Sequence, residues 1–167
     1  MNVQTKIDTT EGKAAYESDF ALWAMAQAHL LSEGRFAELD IANLVDEVDG
    51  LGRSQRAELR NRLVLLIEHL LKHRHGRNPN PRNAWRRTIR EQRRMIALTL
   101  RDNPSLRPML ETFFLEAWPG GVYEALKGFE DFEPDRIETY EQELPEKPDF
   151  TAENALRDDF FPERDNA

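Results

Sequence analysis

The stretch RAELRNRLVLLIEHLLKHRH, residues 56–75, decides the fold. At about 100° of turn per residue, Leu59, Leu63, Leu66, Ile67, Leu70 and Leu71 cover one broad helical face. A face that wide belongs inside a bundle rather than on its surface. Residues 54–75 are therefore expected to form the central helix, stopped by Gly76, Asn78 and Pro79. Helical periodicity recurs along the rest of the chain, and no segment alternates as a strand would. The expected fold is all-α: a single-domain antiparallel bundle of four to five helices, with an acidic C-terminal extension. Residues 1–129 form the bundle in this reading, and 130–167 wrap onto it as part of the same domain.

Working outward, a first helix is expected over 14–32, stopped by Gly34, with Tyr16, Phe20, Trp23, Leu30 and Leu31 on one face. Asp40 reads as the N-cap of a second helix whose apolar stripe is Ile41, Leu44, Val45, Val48 and Leu51. Gly50 and Gly52 predict a break before the central helix, with continuity as the alternative. Asn80 and Pro81 open a helix over 81–102, and Asn103 and Pro104 open another. That last helix should end near Trp118, where Pro119, Gly120 and Gly121 follow. Beyond Glu130 an extended acidic tail is expected, with a short turn capped by Thr151 and anchors at Leu156, Phe160 and Phe161.

Composition removes several function classes. The chain has 167 residues and no Cys, which excludes disulfides, thiolate nucleophiles and Cys-based zinc sites. The longest apolar run is LVLLI, residues 63–67, far below the roughly 20 residues of a membrane span. The N-terminus lacks a signal-peptide pattern, so the expected location is cytoplasmic, with no membrane partner. No Walker loop, GxGxxG, GxSxG or HExxH occurs, and no carboxylate pair stands out for acid–base work. The expectation leans away from an enzyme and names no cofactor.

The charge is segregated. The formal net charge is −8. Residues 1–52 hold 3 basic and 10 acidic groups, 53–107 hold 15 and 4, and 108–167 hold 5 and 17. The basic middle is concentrated in AWRRTIREQRRMI, residues 84–96. Its arginines fall on the side of the helix opposite Trp85, Ile89 and Ile96. Two readings stand: the acidic ends fold over the basic middle, or the patch meets an anionic partner.

Several stretches are similar to a known bacterial family: YESDFALWAMAQAHLL, GRFAELDIANLVDEVDGLGRSQRAELRNRL, IEHLLK, AWRRTIREQRRMI, NPSLRPML and the closing FTAENALRDDFFP. In this order they resemble domain of unknown function twenty-nine across nearly the whole chain. The resemblance implies a compact, all-helical bacterial protein, and it implies no activity. It also implies an aromatic residue, typically Trp, where this chain has His73, and a continuing helix where this chain has Pro119, Gly120 and Gly121.

Three candidate sites follow. Arg86, Arg87, Arg90, Arg93 and Arg94 form the leading one, a binding face for a protein partner or for self-association. The alternative for the same arginines is nucleic acid, gripped through its phosphates. Gln27 and Gln92 interrupt apolar stripes, and they form either a buried polar network or a pocket with Thr88 and Glu47. His69 and His73, spaced i and i+4, could share a metal if a third ligand joined them.

Overall fold

The computed structural model describes residues 15–78 and 81–163. They form an all-α bundle, and no strand occurs among them. Six helices follow in order: α1 (Phe20–Ser32), α2 (Ile41–His75), α3 (Arg82–Asp102), α4 (Leu110–Phe132), α5 (Ile137–Glu143) and α6 (Ala152–Leu156). Short 3-10 turns occupy Phe36–Glu38, Pro104–Met109 and Pro134–Arg136. The chain separates into two compact units, Met1–Arg53 and Ser54–Ala167, with the boundary falling inside α2.

In the first unit, α1 starts at Phe20 rather than near residue 14. Asp19 leaves the helical region and its carboxylate accepts from the Leu22 N–H, which fixes the first turn. Gly34, at φ +70, ends the segment in a left-handed conformation that suits glycine. Asp40 caps α2 as expected, accepting from Asn43. It also accepts from the Trp23 indole N–H at 3.2 Å, and its own N–H donates to Gln27 Oε1 at 2.8 Å. A single aspartate thus sets where α1 lies against the start of α2.

Helix α2 is one helix of 35 residues, so Gly50 and Gly52 do not break it. In the second unit its C-terminal half is the centre of the core, with Leu59, Leu63, Leu66, Ile67, Leu70 and Leu71 all fully buried. Ile89, Ile96, Phe114, Trp118 and Phe129 close around it. Helix α4 also runs on where a stop was expected. Pro119 lies on its exposed side, where the carbonyl left without a donor faces solvent. Gly120 and Gly121 are contact residues. A Cβ on Gly121 would stand 2.4 Å from Ile67 Cγ2, and one on Gly120 would stand 3.2 Å from Val64 Cγ2. The glycines let two backbones approach.

The tail is less extended than expected, because α5 forms at Ile137–Glu143 and buries Tyr140. The Tyr140 ring stacks on Phe129 at 3.9 Å and its hydroxyl donates to Glu133 at 2.6 Å. Thr151 caps α6 through its bond from the Asn154 N–H. The expected cap residue Asn80 lies outside the described residues.

Two glycine substitutions separate packing from propensity. Gly121→Ala should destabilise the protein by about 1–3 kcal/mol, since its methyl group overlaps Ile67. Gly50→Ala meets only the end of Arg53 at 3.7 Å, and it should stabilise by roughly 0.5–1 kcal/mol. Denaturant midpoints at constant slope measure both. Equal effects of one sign would show that the α2–α4 approach is looser than described.

Candidate functional site

Helix α3 divides into two faces, as its sequence requires. Trp85, Ile89, Gln92, Arg93, Ile96, Thr99 and Leu100 are buried, while Arg86, Arg87, Arg90 and Arg94 are exposed. The five arginines singled out from the sequence thus do not act alike. Arg93 is turned inward. Its guanidinium donates to three main-chain carbonyls, those of Ala155 at 2.8 Å, Asp158 at 3.3 Å and Phe160 at 2.5 Å. Burial pulls its pKa down, and the charges of Asp158 and Asp159 oppose that shift. Arg86 lies over the Phe161 ring at 4.7 Å. Both residues therefore hold the C-terminal segment onto the bundle. Arg94 is paired with Glu91 at 2.9 Å. Among the described residues only Arg87 and Arg90 of the five have neither an acidic partner nor a structural duty.

The C-terminal segment has further anchors. Trp118 donates to the Pro145 carbonyl at 2.9 Å, Glu111 accepts from the Ala152 N–H at 2.9 Å, and Arg74 pairs with Asp149 at 2.5 Å. Basic helices and an acidic tail do meet, through the ion pairs of Arg74 with Asp149 and Arg77 with Glu143 as well as through backbone carbonyls and apolar anchors.

The four members of the proposed polar site are not equivalent either. Thr88 and Gln92 line a shallow cleft of about 630 Å³ with Arg87, Arg90, Glu91 and Arg94. Gln92 is buried and its Oε1 has no hydrogen-bond partner. Gln27 and Glu47 are engaged inside the first unit. Gln27 accepts from Asp40, and Glu47 accepts from the Tyr16 hydroxyl at 2.7 Å. That bond, ahead of burial and of the Glu47 charge, pushes the Tyr16 pKa up to about 12.

His69 donates through Nδ1 to the Leu65 carbonyl at 2.9 Å. The His73 ring packs at a tilt against Phe161, with ring centroids 4.8 Å apart. No group of three or more metal-binding side chains occurs among the described residues. The same helix carries a buried ionic pair, Glu68 with Lys72, 2.6 Å apart. Lys72 lies across Gly128, where a Cβ would meet its Nζ at 2.7 Å.

The feature that sequence reading missed lies in the first unit. The stripe Ile41, Val45, Val48 and Leu51 was expected as the apolar side of a helix, with nothing to say what covers it, and these residues are 55, 60, 66 and 70% exposed. Leu31, Leu39, Ile41, Leu44, Val45, Val48, Asp49 and Gly52 line a groove of about 530 Å³. Helix α1 is tied to the start of α2 through Asp40, which binds Trp23 and Gln27, and the stripe itself stays exposed. Periodicity identifies such a stripe but does not say what covers it.

Two measurements test the C-terminal attachment. Arg93→Met should speed amide exchange over 155–161 by tenfold or more and cost about 2–4 kcal/mol, since charged donors to three carbonyls are lost. Arg90→Met should stay within about 0.5 kcal/mol. Unchanged exchange in the Arg93 variant would remove its latching role.

Burial, with the charges of Arg86 and Arg82, holds the His73 pKa below its ordinary 6.5. The folded protein thus binds fewer protons than the unfolded chain just below 6.5. The stability contributed by neutral His73 is present above that value and lost as pH falls through it. His73→Trp should show a smaller drop in denaturant midpoint between pH 7.5 and 5, read at about those values. An equal drop in both proteins would place the pH response elsewhere.

A comparison with curated proteins and one with solved structures each found no match. One family model, described as Domain of unknown function DUF29, matches residues 15–161, so the all-helical chain with its open N-terminal stripe and latched C-terminus belongs to that family.

Proposed function

We propose that the protein is a non-catalytic protein-interaction module, and that its docking surface is the open half of α2. The occupant is an amphipathic helix of a partner protein. One observation carries this reading: a stripe with core spacing, on the same helix as the core, is more than half exposed at Ile41, Val45, Val48 and Leu51. With Leu31 these side chains leave on the order of 500 Å² of apolar surface open, at roughly 150–180 Å² per full side chain. The largest apolar patch on a typical monomer is about 300–600 Å², and such patches are often functional.

The shape supports a helix as the occupant. From Ile41 to Gly52 the groove floor runs about 16 Å, or three helical turns. That length matches anchors at i, i+4 and i+7 of a docked helix. The area is below the roughly 800 Å² per partner of stable complexes, which favours a transient contact. Arg87 and Arg90 are too few to make phosphate binding the stronger reading.

The test is anisotropy of a labelled helical peptide with Leu at i, i+4 and i+7 and an uncharged Gln and Ser remainder. Micromolar binding is expected, weakened at least tenfold by Val48→Asp, an exposed substitution that leaves the fold intact by circular dichroism. Binding that ignores Val48→Asp, or no binding at all, would end the proposal.

A further inference from the structure

Helix α2 contains a stretch with little tertiary support. No residue from Ile41 to Glu58 is buried, a run of about five helical turns, and burial begins only at Leu59. The near end of that run is tied to the first unit through Asp40, which binds Trp23 and Gln27, and through Glu47, which accepts from Tyr16. Its far end is tied to the second unit by Gln55, which accepts from Asn103 at 3.3 Å. Between these ties, over residues 48–54, the side-chain bonds among the described residues stay inside the helix: Arg53 pairs with Asp49 one turn back and reaches the Asp46 carbonyl. The division between the two compact units falls here, after Arg53.

The residues of this stretch, VDGLGRS, are poor helix formers. Two are glycine, Val48, Asp49 and Ser54 rank below Leu and Arg, and only Leu51 and Arg53 favour a helix. Gly120 and Gly121 of α4 answer to close packing, but Gly50 does not: a Cβ there would meet only the end of Arg53, at 3.7 Å. What Gly50 contributes is backbone freedom. A helical span without tertiary support rests on its own propensity, which is marginal over so few residues. We propose that residues 48–54 are a flexible joint inside α2. The helical turn there opens transiently, and the two units turn about it while each keeps its own structure. The ties at Asp40, Glu47 and Gln55 mark where each unit's hold on the helix ends. The joint does not depend on what occupies the groove.

The experiment uses the full chain. Because it contains no Cys, Met25→Cys and Tyr123→Cys, both at exposed positions, place one spin label on each unit. Double electron–electron resonance then reads the distances between the labels. A broad distribution is expected. It should narrow to a single peak when Gly50→Ala and Gly52→Ala are added, since each replacement shifts the helix–coil balance by about fivefold. Amide exchange gives a second readout. The N–H groups of residues 50–55 should exchange roughly a hundredfold faster than those of 63–71, and roughly tenfold more slowly once both alanines are present. One narrow distance in both proteins, or equal protection over 50–55 and 63–71, would overturn the joint. So would a broad distribution that the two alanines leave unchanged, because the motion would then lie elsewhere.

Discussion

One helix has one set of azimuths, and α2 must use them for 35 residues without interruption. That constraint shapes the molecule. The same helical spacing recurs in its two parts, fully buried at Leu59, Leu63, Leu66 and Leu70 in the second unit and exposed at Ile41, Val45 and Val48 in the first. Helix α4 can approach the buried half closely only because Gly120 and Gly121 lack side chains there. At the other end Asp40 gathers Trp23, Gln27 and Asn43, and this seats α1 on the adjoining side of α2.

Most of the fold was legible because helical periodicity is a local property. The central helix, the Asp40 and Thr151 caps and the Gly34 stop all follow from residues within a turn or two of the feature. The failures concern residues whose role is set by a distant neighbour. Gly50, Gly52, Gly120 and Gly121 carry the same local signal as helix breakers, but Gly121 answers to Ile67, more than fifty positions away in the chain. Pro119 is tolerated because its missing bond falls on the solvent side. The resemblance to the family, which implies a helix through that point, agrees with the structure where local rules do not.

The candidate sites show the same division. A run of arginines announces charge, but it does not announce direction. Arg93 and Arg94 are adjacent in sequence, yet one is sunk under the C-terminal segment and the other pairs with Glu91 at the surface. Gln27 and Gln92 both interrupt apolar stripes, but only Gln27 finds a partner for its carbonyl oxygen. The exposed stripe is visible as a pattern in the sequence, but nothing in a sequence marks the absence of a covering element.

The latch at Arg93 has a consequence for how this chain can change over generations. Its guanidinium engages the peptide carbonyls of residues 155, 158 and 160 and none of their side chains. These three bonds therefore survive a change of side chain at 155, 158 or 160, whereas the contacts of Arg86, Arg93 and His73 with Phe161 depend on its ring. A single inserted or deleted residue between those carbonyls would throw all three out of step at once. At these carbonyls the segment is free in its spelling and strict in its length.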